Sequence, residues 1–245
     1  MEADPPVLVG CGHGTRDPAG RRALARLRLD VAALRPGLRV VAANIDVHKP
    51  ALPDVVARLT GAGRRCVVVP LLLSAGYHLR VDVAAAVRAG GGLAVAAPAL
   101  GPDAALVDVL GERLAECGAG DDDLVVLAAA GSSDARAAVD VAAVAAALAE
   151  RRGGSVRAAF LSAARPTVAE AVRSAGAVRS GGSVRSVGSV RRPVTVASYL
   201  LAPGLFHARL ATLGAVRVSP PMAPHPLLAE LALRRYDAAA RAAGW

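Results

Sequence analysis

The chain has 245 residues, of which 54% are hydrophobic but only 2% are aromatic, so its core must be built mainly from Ala, Val and Leu. No apolar run reaches the roughly 18 residues that cross a bilayer, and the N-terminal stretch lacks the basic flank of a signal peptide. The net charge of +9 comes almost entirely from Arg, without the aromatic residues that stack on bases. Three cysteines without a CxxC pair exclude a disulfide framework. These features predict a soluble, cytoplasmic protein that binds neither membrane nor nucleic acid.

Short apolar runs alternate with longer Ala-, Leu- and Arg-rich stretches, which is typical of a parallel α/β sheet. The third apolar run lacks polar alternation, which indicates a strand buried on both faces. Asp17 is predicted to cap the first helix, with Pro18 in its first turn. In chain order the first half predicts strands at 7–11, 38–47, 64–73 and 93–98, and helices over 17–35, from about 50, from about 81, and over 102–117.

The second half repeats this layout after the Gly- and Asp-rich segment 118–123. Strand, turn, Asp and helix recur in order, and two later strand segments recur as well. The duplication predicts two similar α/β halves, residues 1–119 and 120–245. The additional residues of the second half fall in a Gly/Ser/Val/Arg-rich segment at 173–193. We expect a mobile loop there, and an Arg-rich cover over an anionic substrate is the alternative.

Candidate functional residues follow the first three predicted strands. Ligands of an open parallel sheet bind at the carboxyl ends of its strands, and His13, Asp46 and His78 converge on that edge. Two imidazoles and a carboxylate suit a borderline divalent ion such as Co²⁺, Fe²⁺, Ni²⁺ or Zn²⁺. His48 would share a strand face with Asp46, because side chains alternate with period 2. It is either a substitute for the carboxylate or a solvated histidine.

Four segments resemble those of a known family. GHGTRDP (12–18) and PLLLSAGYHLRVDV (70–83) resemble the signature segments of the sirohydrochlorin chelatases, class II tetrapyrrole chelatases that insert cobalt or iron. YLLAPGLFHARL (199–210) and VSPPMAPHPLLAELALRRYDAA (218–239) resemble the second half of the family's long, duplicated form. The resemblance implies two α/β halves that face each other across a cleft for the tetrapyrrole.

The same resemblance implies the roles of particular residues. His13 and His78 would handle the metal, and Asp46 would be the shorter counterpart of a glutamate that family members often carry. The divalent metal, Fe²⁺ or Co²⁺, would be a substrate, and neither a nucleotide nor a redox cofactor would be needed. The pathway would be sirohaem or cobalamin biosynthesis, and the residues do not choose between iron and cobalt.

The Arg surplus has two interpretations, namely a GC-rich coding sequence and the binding of an acidic partner. Sirohydrochlorin is a polycarboxylate, so Arg16 and Arg80, which lie close to the candidate histidines, are predicted to bind carboxylates. Helix capping or solvation is the alternative for both. Further substrate contacts are expected from the loop of His78, at Ser74, Gly76 and Tyr77.

The second half has lost most of the candidate site. Ala130 corresponds to His13 and Ser162 to Asp46, whereas His207 corresponds to His78. One metal centre, in the first half, is therefore expected. His207 either helps to shape the substrate site or is a hydrogen-bonding remnant. His225 precedes the last helix and is predicted to be a helix-start residue.

Two other functions fit part of the pattern. A phosphoryl-transfer enzyme with His13 as nucleophile is disfavoured, because Gly12 replaces the Arg of histidine phosphatases and no P-loop is present. A non-catalytic tetrapyrrole or metal carrier of the same fold stays open as the alternative to a chelatase. A monomer is expected, since a duplicated chain builds within itself the cleft that a short form builds by dimerising.

Overall fold

The computed structural model describes residues 4–74, 76, 79–177 and 192–245. Its first repeat forms a four-stranded parallel sheet with the order β2-β1-β3-β4. β1 and β3 are apolar and buried along their whole length, as the missing alternation predicts. The strands are β1 (Val7–Gly12), β2 (Val40–Asn44), β3 (Cys66–Pro70) and β4 (Ala94–Ala96).

Helices connect these strands, so the predicted order of elements is confirmed. The Asp17 carboxylate caps the first helix by accepting the N–H of Ala19 at 2.7 Å and that of Gly20 at 3.4 Å. The predicted strand at 38–47 is three residues too long at its carboxyl end, because β2 ends at Asn44. The helices are α1 (Pro18–Leu34), α2 (Leu52–Gly61), a π-helical turn (Leu79–Val83), α3 (Ala84–Ala89) and α4 (Ala104–Glu116).

The second repeat forms its own parallel sheet with the equivalent order β6-β5-β7-β8, which confirms the duplicated α/β fold. Residues 173–177 of the predicted loop belong to a helix, and 178–191 lie outside the described residues. The elements are β5 (Leu124–Ala129), α5 (Ala135–Arg152), β6 (Val156–Phe160), α6 (Val168–Ala177), β7 (Val194–Tyr199), α7 (Leu205–Leu210), β8 (Arg217–Val218) and α8 (Pro226–Ala242). No helix of the described residues is long and apolar enough to span a bilayer.

The compact units of the structure end at different residues from the sequence repeats. One unit comprises Met1–Leu106 with Ala223–Trp245, and the other comprises Val107–Met222. The last helix of the second repeat, α8, therefore packs within the first unit. There Asp237 accepts two hydrogen bonds from the guanidinium of Arg35, at 2.6 and 2.8 Å. The boundary near residue 119 thus separates the two sequence repeats, whereas the boundaries of the compact units reflect how the helices pack.

The end of α4 packs in the second unit in the same way. The guanidinium of Arg151 on α5 pairs with Asp108, and Arg113 donates a hydrogen bond to the carbonyl of Met222 at 3.1 Å. α8 begins after His225, whose Nδ1 accepts the N–H of Leu227 at 3.3 Å. This bond confirms the prediction that His225 is a helix-start residue.

Two cysteine thiols are part of the first unit's core. Cys11 on β1 and Cys66 on β3 have no exposed surface. Burial raises the pKa of Cys11 to about 12, although the nearby charge of Arg28 lowers it somewhat, and burial raises the pKa of Cys66 to about 11. Both side chains are therefore neutral thiols at physiological pH, whereas a thiol needs to be deprotonated to bind a metal.

The buried Cys11 thiol predicts a loss of stability in alkali. The folded chain keeps a proton that the unfolded chain releases near the ordinary thiol pKa of 9.0, so the free energy of unfolding should fall as pH rises above about 9. Cys11→Ala should make this decline shallower in urea unfolding between about pH 8 and 10.5. Val9→Ala, a control that removes core packing and keeps the thiol, should lower stability without changing the slope. Equal slopes in Cys11→Ala and wild type would contradict the assignment.

Candidate functional site

The loops that follow β1 and β2 are joined by their backbones. Ile45 donates its N–H to the carbonyl of Gly12 at 2.9 Å, and Asp46 donates to the carbonyl of His13 at 3.0 Å. These bonds continue the pairing of the two strands beyond Asn44, where β2 ends. Two of the predicted site residues, His13 and Asp46, are therefore held side by side at the carboxyl edge of the sheet, as the sequence predicts.

Gly14 makes the close approach of the two loops possible. Its φ of 102° lies in the region that favours glycine. A Cβ at this position would lie 2.2 Å from the carbonyl oxygen of Asp46, well inside contact distance. The residue after His13 must therefore lack a side chain if the Asp46 loop is to pass directly over it.

The Asp46 loop then turns sharply and brings His48 back to the His13 loop. Val47 adopts a φ of 71°, and His48 donates its N–H to the carbonyl of Asp46 at 2.8 Å. The Nδ1 of His48 accepts the N–H of Thr15 at 3.3 Å. The prediction that His48 shares a strand face with Asp46 is wrong, because β2 ends before either residue and period-2 alternation no longer applies.

Both His13 and Asp46 are exposed at this edge, whereas His48 is half-buried. The carboxylate of Asp46 accepts the N–H of Val47 at 2.6 Å, which orients it within its own loop. No group of three or more His, Cys, Asp or Glu side chains among the described residues is arranged to hold a metal ion. His78, the third member of the predicted site, lies outside the described residues.

The loop after β3 starts from the same edge of the sheet, since β3 pairs with β1 on the side opposite β2. Leu71 donates its N–H to the carbonyl of Cys11 at 2.7 Å, and the half-buried Ser74 accepts the N–H of Gly76 at 3.1 Å through its carbonyl. Tyr77, like His78, lies outside the described residues. Arg80 belongs to the π-helical turn, an irregularity that is frequent at functional sites.

Arginine lies near the site in two different settings. Arg16, a predicted substrate contact, is exposed in the loop before α1. Arg28 of α1, which the sequence analysis missed, donates to the carbonyls of Gly10 at 2.9 Å and Ala43 at 3.3 Å. Burial lowers the pKa of Arg28 from its ordinary high value. It nevertheless remains a fixed positive charge against the ends of β1 and β2.

The side chain of Arg28 packs against a glycine of β1. A Cβ on Gly10 would lie 3.2 Å from the Arg28 Cγ, which is tighter than an ordinary contact, so the missing side chain of Gly10 leaves room for that of Arg28. Beside Gly12, Asn44 is 2% exposed, and its Oδ1 has no hydrogen-bond partner among the described residues. A glycine within a buried strand, Gly10, was the available signal for the position of Arg28.

The second unit builds the same pair of loops without the site residues. Ser162 donates its N–H to the carbonyl of Ala130 at 3.0 Å, and a Cβ on Gly131 would lie 1.9 Å from the Ser162 carbonyl oxygen. Ala163 has a φ of 56°, as Val47 has its positive φ in the first unit. The correspondence of Ala130 with His13 and of Ser162 with Asp46 is therefore confirmed at the backbone level.

His207, the predicted counterpart of His78 in the second repeat, is half-buried within α7. Its Nε2 lies 3.2 Å from the carbonyl oxygen of the buried Ser219, within hydrogen-bonding distance. The hydroxyl of Ser219 in turn accepts the N–H of Ser198 at 2.9 Å. His207 is thus connected to the carboxyl end of β7 within its own unit.

Three solved structures with a similar fold are described as chelatases or as similar to chelatases. SirB from Bacillus subtilis, solved with Fe³⁺, aligns over 98% of each chain with a TM-score of 0.81 and 21% identity. The sirohydrochlorin chelatase SirB of subspecies spizizenii, in complex with cobalt, aligns over 97% of this chain and 96% of its own, with a TM-score of 0.76 and 19% identity. A multi-domain protein from Deinococcus radiodurans with structural similarity to chelatases aligns over 98% of this chain and 56% of its own, with a TM-score of 0.66 and 18% identity.

The fold is therefore that of the duplicated α/β chelatases, each half of which is one parallel sheet with its helices. The family model named CbiX matches residues 7–117 and again 124–239, which together make up most of the chain. The chain belongs to the CbiX family. A search of curated protein sequences finds no match to it.

Gly14→Ala should destabilise the protein more than the same substitution at another glycine that has a positive φ but no neighbouring atoms. The added Cβ would collide with the Asp46 carbonyl, so we expect a loss of about 2 to 4 kcal/mol in urea unfolding. Gly131→Ala should behave alike for the same reason. Gly37→Ala is the control, because Gly37 has a φ of 89° but nothing within 4 Å, and about 1 kcal/mol is expected there. Equal losses in all three variants would show that the loop contact does not limit the substitution.

Proposed function

We propose that this protein is an ATP-independent chelatase that inserts Fe²⁺ or Co²⁺ into sirohydrochlorin, in sirohaem or cobalamin biosynthesis. Membership of the CbiX family and the likeness to SirB support the proposal. The observation that carries it is the pairing of His13 with Asp46 at the sheet edge. The second unit keeps the backbone of this pair and carries Ala130 and Ser162 instead, so the two functional side chains are not needed to form the loops.

Metal insertion replaces two pyrrole N–H protons with one divalent ion, so the site must deliver the ion and accept the protons. We propose that His13 and His78 hold the metal and that Asp46 accepts protons and passes them to solvent. A neutral imidazole suits this step, since its ordinary pKa near 6.5 leaves a free lone pair at neutral pH. The exposure of His13 and Asp46 is consistent with transfer to an external macrocycle.

A transfer site must also release its metal. A cage of three or four thiolates would bind a borderline divalent ion very tightly. Burial keeps Cys11 and Cys66 protonated, with pKa values raised to about 12 and about 11, so neither competes with the imidazoles as a ligand. The proposed ligands therefore bind the ion weakly enough for it to be released as a substrate. We also propose that the reaction uses neither a nucleotide nor a redox cofactor.

We further propose that the carboxylates of sirohydrochlorin bind Arg16 and Arg80, with Ser74, Gly76 and Tyr77 adding contacts from the loop after β3. The exposure of Arg16 beside the His13 loop supports its part in this. The bond between His207 and the Ser219 carbonyl supports the remnant interpretation of that histidine, and its contact with substrate stays a prediction. Monomeric state and cytoplasmic location stay predictions as well.

The proposal is tested by visible absorbance of purified protein with sirohydrochlorin, supplied in turn with Co²⁺ and Fe²⁺ under anaerobic conditions. A chelatase should metallate many equivalents of sirohydrochlorin per protein, faster than the uncatalysed control. Binding of the macrocycle with at most one metallation per protein would overturn the chelatase proposal and establish the carrier alternative. The metal that reacts faster indicates the pathway.

Replacing either proposed metal-binding histidine should abolish most turnover. We expect His13→Ala and His78→Ala to lower kcat/KM by about 100-fold or more, because each removes a group that acts on the metal or on the pyrrole N–H protons. His225→Ala is the matched control, since this histidine caps α8 and its loss should cost about 1 kcal/mol of stability without affecting turnover. Equal activity in the three variants would refute the assignment of the site.

Two substitutions of Asp46 test separately whether the negative charge and the length of its side chain matter for turnover. Asp46→Asn keeps an acceptor for the Val47 N–H but loses the negative charge, so we expect turnover to fall by at least about 10-fold with little change in stability. Asp46→Glu restores the carboxylate and extends its reach by one bond, and it should retain most of the activity. Full activity in Asp46→Asn would exclude a proton-accepting carboxylate at this position.

A further inference from the structure

We infer that His48 is a positioning residue that holds the His13 loop against the Asp46 loop, and that it does not bind the metal. The inference rests on the proposed function of the site. His48 Nδ1 accepts the N–H of Thr15 at 3.3 Å, two residues beyond His13. This side-chain bond joins the two loops in addition to the backbone bond from Asp46 to His13.

The bond connects His13 to a larger rigid element. Thr15 Oγ1 accepts the N–H of Asp17 at 3.1 Å, and the Asp17 carboxylate caps α1. The segment from His13 to α1 is thus held at one end by β1 and along its length by successive hydrogen bonds. His48 adds the connection from this segment to the Asp46 loop, so movement of His13 relative to Asp46 would break the His48–Thr15 bond.

Hydrogen-bond chemistry determines which ring nitrogen of His48 carries the proton. A backbone N–H can only donate, so the Nδ1 that accepts it must present a lone pair, and the neutral ring carries its proton on Nε2. A metal at Nε2 would need that lone pair and would move the proton to Nδ1, where it would oppose the N–H of Thr15. The bond to Thr15 and metal binding therefore exclude each other.

The second unit shows that the loops fold without this bond. Ser132 Oγ accepts the N–H of Asp134 at 3.1 Å, and Ser162 donates to Ala130, as their counterparts do in the first unit. Ala164 donates its N–H to the Ser162 carbonyl at 2.7 Å, as His48 does to Asp46, but it has no side chain to reach the opposite loop. A histidine at this loop position thus occurs in the unit that contains His13, whereas the unit that contains Ala130 has Ala164 there. This difference argues for a role in positioning rather than in folding.

The inference is tested with three variants of the full chain. Asn places its Oδ1 where the imidazole has Nδ1, so His48→Asn should keep kcat within about two-fold. Gln places its oxygen one bond further out and Ala has no acceptor, so both should lower kcat by about 10-fold. All three should leave the Kd for Co²⁺ nearly unchanged. Ala164→His, which adds a histidine to the equivalent loop of the second unit, is the control and should be silent.

Two results would overturn the inference. A Kd for Co²⁺ that rises by about 10-fold or more in all three variants, including His48→Asn, which keeps the acceptor for Thr15, would make His48 a metal ligand. Equal loss of kcat in His48→Asn and His48→Ala would show that the acceptor at Nδ1 is not what matters.

A separate measurement does not depend on turnover. Nitrogen-15 NMR of the His48 ring in the wild-type protein should show the neutral form protonated on Nε2, and its signals should not shift when diamagnetic Zn²⁺ is added. A ring protonated on Nδ1 would refute the positioning role even if the protein is a chelatase. If sirohydrochlorin is not metallated at all but the ring is protonated on Nε2, the proposed function fails and the bond to Thr15 stands.

Discussion

The candidate site depends on backbone pairing that continues past the ends of two strands. β1 and β2 are parallel neighbours, and the hydrogen bonds from Ile45 to Gly12 and from Asp46 to His13 extend their register into the loops. A loop that is paired in this way loses most of its conformational freedom. A side chain on such a loop is therefore held near one position even though it is exposed. This matters for a metal-transfer site, because the groups must be exposed to the macrocycle and yet be fixed relative to one another.

The close approach of the loops requires unusual backbone at two positions. Gly14 provides a positive φ and the absence of a Cβ, whereas Val47 adopts a positive φ that is rare for a β-branched residue. Strained backbone of this kind persists where surrounding structure determines it, and it is common at functional sites. The second unit has Gly131 and Ala163 in the same conformations, so the strain belongs to the shared scaffold.

The two units use this scaffold differently. In the first, the loops carry His13, Asp46 and His48, with the half-buried side chain of Arg28 packed against Gly10. In the second, the corresponding loop positions are Ala130, Ser162 and Ala164. The first loop pair thus differs from the second in its side chains and not in its backbone.

Much of the architecture is encoded locally, and the sequence was sufficient to predict it. Apolar runs, the cap at Asp17 and the repeated order of motifs predicted the strands, α1 and the duplication, because periodicity and capping are properties of neighbouring residues. His13 and Asp46 were predicted to meet for a similarly simple reason, since the carboxyl ends of adjacent parallel strands share one edge. His225 was identified as a helix-start residue from its place before Pro226.

Tertiary structure decided what depends on contacts between distant residues. β2 ends three residues earlier than predicted, and the turn at Val47, with its positive φ, brings His48 back to Thr15. The half-buried Arg28 donates hydrogen bonds to strand carbonyls, a contact that helical periodicity does not reveal. α8 packs in the first unit through Arg35 and Asp237, which are far apart in sequence. Sequence alone thus determined which elements form and which strand ends share one edge of the sheet, and tertiary packing decided which hydrogen bonds the side chains make, because hydrogen-bond partners are set by proximity in space.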